Sequence, residues 1–436
     1  MPEDLRQIQW AEYGQTVIHP FAVLLTVAMI VWVLAGKRQR VLIPMLIVGV
    51  FITSLQRLVI GSYDFTMIRL LLLGVYLRVL VRDDTWRFRW TRMDTLFVLY
   101  VLTVSGAYIA LRQTPAAVTN RLGFAFDALL AFFAVRLYFR SVEQVRILMR
   151  GFAFVLFVVA ITMLVEQLTQ YNVFSVLGGV RATAWVREGR LRAQGAFSHA
   201  ILAGTFGGVF LPLCWALRGR LSSTDRRFAL VGIAGGIVMV FASSSSGPVL
   251  SLLAAVFGIA LWHYRKYTPQ FFRWSLVLLV ALHFYMQAPV WHLISRVDLV
   301  GGSTGYHRYA LIDAAIRNFS EWALFGVRTT GQWGWGLNDV TNMYVLQGVN
   351  GGFAALFLFI LVIRSGFRSV GVAMASSRSV ANEKLSWAWG VVLFAHCVSF
   401  LGVSYFGQME FFWYLTLGVL SALPQAVELE TKSELS

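Results

Sequence analysis

About thirteen runs of roughly twenty apolar residues follow one another along this chain, and they leave it few ways to fold. A run of that length in lipid must satisfy its backbone polar groups internally, which requires an α-helix. The runs lie near 18–36, 41–60, 64–81, 94–111, 122–140, 145–167, 199–217, 227–243, 246–263, 273–288, 345–363, 386–405 and 408–424. The second is interrupted near its end by Gln56 and Arg57. At 58% hydrophobic and 13% charged residues, the 436-residue chain has more apolar surface than soluble cores bury. The expected class is an all-α polytopic membrane protein, with residues 1–436 forming a single integral-membrane domain. Gly232, Gly235, Gly236 and Pro248 mark places where helices pack closely or bend.

The net charge of +16 would point to nucleic acid in a soluble protein, so its placement decides the matter. Twenty-four of the 37 basic residues fall in alternate connectors, from Lys37, Arg38 and Arg40 through Arg265 and Lys266 to Arg378 and Lys384. That alternation is the positive-inside pattern, which fixes orientation and removes the case for nucleic acid. The first residues, MPEDLRQ, are polar and acidic, so the first span rather than a cleaved leader is expected to be the targeting signal. Cys214 and Cys397 both sit within apolar runs, and the seven histidines show no metal-ligand spacing. No metal or other cofactor is expected. Nucleotide-binding glycine motifs and a G-x-S-x-G elbow are absent.

Twelve arginines fall on the other side, and eight of these concentrate in two connectors, 168–198 and 289–344. Arginine is a planar, permanently charged donor suited to phosphate oxygens, although lysine is scarce throughout this chain. The first connector ends GRLRAQGAFSHAILAG, so Arg190 and Arg192 stand beside glycine at a helix mouth, where side-chain and backbone donors can meet one anion. An interfacial arginine reaching for lipid phosphate explains them equally well. Arg181 and Arg187 read as solvated loop charges. The run Ser243–Ser246 reads as capping or helix packing.

The second connector belongs to the stretch 301–352, which carries Arg308, Arg317 and Arg328 with His307 and the acids Asp313, Glu321 and Asp339. Apolar Tyr309, Ile312, Ala315, Ile316 and Phe319 recur at helical spacing, leaving His307, Arg308 and Asp313 to the other faces of an amphipathic helix. Trp322, Trp333 and Trp335 alternate with glycines, offering flat faces for sugar rings or anchors at lipid headgroups. His307, Glu321 and Asp339 are the candidates for a proton acceptor, and His199 stands beside the first arginine pair.

Three motifs resemble the O-antigen ligase and O-antigen polymerase superfamily over about residues 190–365: Arg192-x-x-Gly195-x-Phe197 before a helix, Arg308 opening a helix that ends at Leu324 and Gly326, and Asn342-x-Tyr344 before Gly348 and Gly351. The resemblance implies a GT-C-like bundle of about 12–13 transmembrane helices with a large, partly helical periplasmic loop in the bacterial inner membrane. It implies a metal-independent glycosyltransferase with a polyprenyl diphosphate-linked glycan as donor, membrane lipids around it, and chain-length regulators or export proteins as further partners. The active site would combine 190–199 with 289–344. Arg192 and Arg308 would bear on the diphosphate, backed by Arg190, Arg317 and Arg328, with Asn342, Tyr344, Trp333 and Trp335 around the glycan. Where the family's ligases keep a histidine this chain has Thr341, which favours polymerase over ligase. The arginine of the family's Ser-Arg-Gly is Ser246 here, so Arg112, Arg121 or Arg328 would have to replace it. A lipid-linked glycan flippase and a structural partner in an export complex remain the readings from other classes. A flippase would show internal repeats and charges at the bilayer midplane, whereas only Arg69, Asp127 and Glu166 fall within runs.

Overall fold

A computed structural model describes residues 14–82, 89–218, 222–296 and 305–433. Arg6, Arg87, Arg220, Asp298 and 301–304 lie outside the described residues. The chain runs α1 (Pro20–Ala35), α2 (Leu42–Phe51), β1 (Arg57–Ile60), β2 (Tyr63–Thr66), α3 (Met67–Val81), α4 (Arg92–Arg112), α5 (Pro115–Tyr138) and α6 (Val142–Thr169). It continues β3 (Trp185–Arg187), β4 (Arg190–Arg192), α7 (Ala200–Arg218), α8 (Ser223–Ala242), α9 (Ser246–Ala260) and α10 (Thr268–Tyr285). Then come α11 (Gly305–Arg317), α12 (Phe319–Trp322), α13 (Met343–Ser376), α14 (Val380–Ser399) and α15 (Gln408–Ser433).

A helix stands at each of the thirteen apolar runs. Among the described residues, α4, α5, α6, α7, α13 and the stretch Ser246–Tyr285, which bends at Tyr264, are long and apolar enough to cross a membrane, which makes this a helical, multi-pass membrane protein. The second run departs from expectation. Helix α2 has 10 residues, which at 1.5 Å per residue is about 15 Å and short of the roughly 30 Å hydrocarbon core. The chain turns instead into the β1–β2 hairpin, registered Arg57 to Thr66 and Ile60 to Tyr63. Gln56 explains the break: its buried side chain accepts from His19 N at 2.6 Å and donates to Leu177 O, polar work that a lipid-facing helix would not permit.

Helix α7 is the axis of the bundle, buried over nearly its whole length and packed against α6, α8, α9 and α14. Small residues allow the close approach. A Cβ on Gly207 would lie 2.8 Å from Gly236 O, and one on Gly235 would lie 2.7 Å from Leu156 O. The described parts of the basic connectors gather at one pole. There Arg136 and Asp94, both fully buried, pair at 2.9 Å, and Ser421 Oγ donates to Asp94 at 2.6 Å. Arg78 reaches from α3 to Gly36 O at 2.8 Å and so closes α1 onto α3. At the far pole lie 52–66, 111–120, 167–198, 242–248, 305–345 and 399–410, joined by the contacts described next.

Candidate functional site at the far pole

Strand β4 ends in the LRAQG turn, and a buried carboxylate holds that turn. Glu166 Oε2, in the last turn of α6, accepts from Gln194 N at 3.1 Å and Gly195 N at 2.9 Å. Gly195 has φ +58°, a left-handed conformation that a side chain would strain. The other face of the turn is pinned to the end of α8: Ala193 N donates to Ala242 O at 3.0 Å and Ser244 Oγ to Leu191 O at 2.8 Å. Held this way, Arg192 is 7% exposed, and its guanidinium donates to Ser245 Oγ at 2.6 Å and weakly to Ser243 O at 3.5 Å. The serine run therefore aims Arg192 as well as ending a helix.

Arg308 enters from the second connector. The sequence pattern puts it on a polar face of its helix, and the structure corrects this. The buried face of α11 is Arg308, Leu311, Ala314 and Ala315, whereas Ile316 and Phe319 are exposed. Arg308 is 7% exposed and lies against the 400–407 turn between α14 and α15, where a Cβ on Gly402 would sit 3.2 Å from its Nε. That Nε is buried without a hydrogen-bond partner.

The two arginines share one electrostatic environment. Burial, then the charge of Arg187, pushes Arg192 down to about 10 and lowers Arg308 as well. Arg187 is an exposed strand residue whose field reaches both, not merely a solvated loop charge. No carboxylate pairs with Arg192 or Arg308 among the described residues. Buried cations without counter-charge are costly, and an anion bound beside either would offset that cost.

His199 caps the start of α7, its Nδ1 accepting from Ile201 N at 3.1 Å, with its ring 6.5 Å from Phe406. Burial, then Arg192 and Arg187, pushes it down to about 3, so it is neutral near pH 7 and a weak base. Between about 3 and the ordinary value near 6.5 the unfolded chain binds the proton that the folded chain refuses, so this residue's share of stability is lost as pH falls through that window. His199→Asn, which keeps a cap acceptor, is expected to flatten the fall in unfolding temperature between pH 6.5 and 4. A pH dependence identical to wild type would refute the assignment.

The other sequence candidates separate. His307 Nε2 lies 3.1 Å from Asp339 O, while the Asp339 residue itself is exposed. Glu321 accepts from Trp333 Nε1 at 2.8 Å and Gln332 Nε2 at 3.2 Å, latching the 331–335 loop. Trp333 packs on Leu311 and Leu337, whereas Trp335 is fully exposed. Arg317 is exposed and paired with Asp313 at 2.8 Å, and Arg190 is exposed on β4. Arg328 donates to Leu111 O at 3.0 Å and Arg112 donates back to Arg328 O at 3.0 Å, a clamp between the connector and the end of α4. Asn342 is buried as the cap of α13, accepting from Val345 N at 3.1 Å and donating to Leu401 O at 3.2 Å. Tyr344 donates to Cys397 O at 3.0 Å and packs on Phe359 and Phe400. The Thr341 hydroxyl is buried without a partner.

Two contributors escape a reading of the sequence. Residues 400–405 of the 400–407 turn are as apolar as the run before them, so they read as the end of the 386–405 span. Gln408 gives no hint of its partners, although its side chain donates to Ala196 O at 2.6 Å and accepts from Ser198 Oγ at 3.2 Å. Glu166 carries a signal, an acid in the last turn of a long apolar run. No protein-family model matches the chain, and no curated protein matches it.

Proposed function

We propose that the protein is a metal-independent membrane glycosyltransferase that polymerises polyprenyl diphosphate-linked oligosaccharide repeat units, as in an O-antigen or exopolysaccharide polymerase. The observation that carries the reading is that Arg192 and Arg308, from two distant connectors, are both buried cations without described carboxylate partners and both lie in the field of Arg187. In the transfer, the acceptor hydroxyl oxygen bonds to the anomeric carbon as the carbon–oxygen bond to the diphosphate breaks. The electron pair leaves on the diphosphate, where Arg192 and Arg308 stabilise the charge as it develops. The hydroxyl proton passes to a base, for which Asp339, Glu321 and His307 are the candidates. In this reading the far pole faces the periplasm, the basic pole faces the cytoplasm of a bacterial inner membrane, and the prenyl tail lies between helices in the bilayer.

Transfer to a lipid or protein acceptor, the ligase variant, uses the same donor chemistry. Thr341, in place of the ligase histidine, favours polymerisation. Purified full-length protein given only a polyprenyl diphosphate-linked repeat unit is expected to make a ladder of longer glycans. A flippase or a structural partner would make none, and an empty ladder from folded protein would overturn the proposal.

A further inference from the structure

A recess of about 370 Å³ opens among the far-pole ends of α2, α3, α4, α5, α13 and α15. It adjoins the segment that follows Arg192: Ser54 and Gln408 line it, and both contact Ser198, Ser54 Oγ at 2.7 Å and Gln408 Oε1 at 3.2 Å. Its character is different. Two cations, Arg69 and Arg121, and two carboxylates, Asp127 and Glu410, line it, so it has no excess of positive charge.

Arg69 is spent on structure, gripping Asp127 through two hydrogen bonds of 2.7 and 2.6 Å and Asp64 through one of 2.6 Å. Arg121 lies 3.7 Å over the Tyr108 ring and 5.3 Å from the Phe124 ring, its Nε buried without a partner. Glu410 lines the recess, and no hydrogen bond to it is made among the described residues. Asn120 and Asn350 add amide donors and acceptors, and Phe124 adds a ring face. A wall of balanced charge, amides and aromatic carbon suits a neutral ligand rich in hydroxyls, whose polar edge meets Glu410 and the amides while its C–H face meets a ring. A free phosphate would meet two carboxylates there, and a hydrocarbon tail would strand the polar groups. The volume is that of a small-molecule site.

We propose that this recess is a binding site for a neutral sugar ring, with Glu410 accepting hydrogen bonds from its hydroxyls. That the ring belongs to the acceptor end of the glycan rests on the function proposed above; the binding itself does not. The chain then divides its labour between an anion region at Arg192 and Arg308 and a polyol region one hydrogen-bonded wall away.

The test uses full-length protein in detergent, with saturation-transfer NMR against glucose, galactose, mannose, rhamnose and N-acetylglucosamine, and calorimetry with inorganic diphosphate in parallel. At least one sugar is expected to bind saturably, and Glu410→Gln and Asn120→Leu are each expected to weaken it by about tenfold, the loss of one hydrogen bond to a charged or amide group. Neither substitution should alter diphosphate binding. Failure of every sugar to bind, or binding indifferent to both substitutions, overturns the proposal. Should the sugar result hold while Arg308→Ala leaves diphosphate binding intact, the recess stands and the diphosphate role of Arg308 falls.

Discussion

Arg308→Ala is expected to stop glycan elongation while leaving the folded protein at least as stable as wild type. Both outcomes have one cause. Arg308 is buried, its Nε has no partner, and no described carboxylate offsets its charge, so the fold bears its desolvation without return. Removing such a cation relieves a penalty rather than breaking a bond. Activity should behave oppositely, because a donor aimed at developing negative charge is worth about 10²–10³ in rate when deleted. Arg308→Lys should recover some of the activity, since it restores a charge but not the guanidinium fork. Arg192→Ala should be equally inactive but slightly less stable, by about 1 kcal/mol, because Arg192 also bonds Ser245 and Ser243. The measurements are the ladder from purified protein and its thermal unfolding. A wild-type ladder from Arg308→Ala would remove this residue from the chemistry, and joint loss of ladder and stability would make its role structural.

The helices are legible in the sequence because hydropathy alone fixes where a chain can lie in lipid, and each run carries that signal locally. What is not legible depends on distant partners. Gln56 reads as a blemish in a span, whereas hydrogen bonds with His19 and Leu177 make it the point where the chain turns into a hairpin. Arg192 and Arg308 stand out as arginines on the side that the positive-inside rule leaves poor in them. Arg187, whose charge reaches both, and Gly402, which packs on Arg308, do not reveal those roles, because an exposed arginine and a glycine in an apolar turn say nothing locally about distant partners. Asn342 and Tyr344 illustrate the converse case. Their motif is visible, but its hydrogen bonds run inward to Leu401 and Cys397, so the pattern marks how α13 docks on the end of α14 and the turn that follows it. A motif records that residues are needed together, and only the fold says whether substrate or backbone needs them.

The same distinction decides the glycines in and beside the second and third motifs, and it yields the largest expected loss of stability. Gly326 has φ +91°, and a Cβ there would run into the Val349 carbonyl oxygen; Gly352, with φ +71° at the kink in α13, faces the Leu324 carbonyl in the same way. Backbone bonds join the two segments at these points: Val327 N donates to Val349 O at 2.9 Å and Phe353 N to Ala323 O at 2.8 Å. On the other side of the contact, a Cβ on Gly348 would lie 2.6 Å from the Trp322 ring. Gly326→Ala must therefore strain a left-handed residue, at about 1–2 kcal/mol, and also break both of these backbone hydrogen bonds, worth about 1 kcal/mol each. A total near 3–4 kcal/mol is expected on those magnitudes. Gly336 supplies the comparison, since it has φ +76° with nothing within 4 Å of its Cβ position, so Gly336→Ala should cost only the conformational strain. Elongation should fall with Gly326→Ala as well, because Met343 N at the head of α13 donates at 2.9 Å to Phe400 O, in the turn that carries Gly402 against Arg308. Equal destabilisation by the two substitutions in denaturant unfolding would mean that the interlock contributes nothing and that the motif glycine serves its φ angle alone.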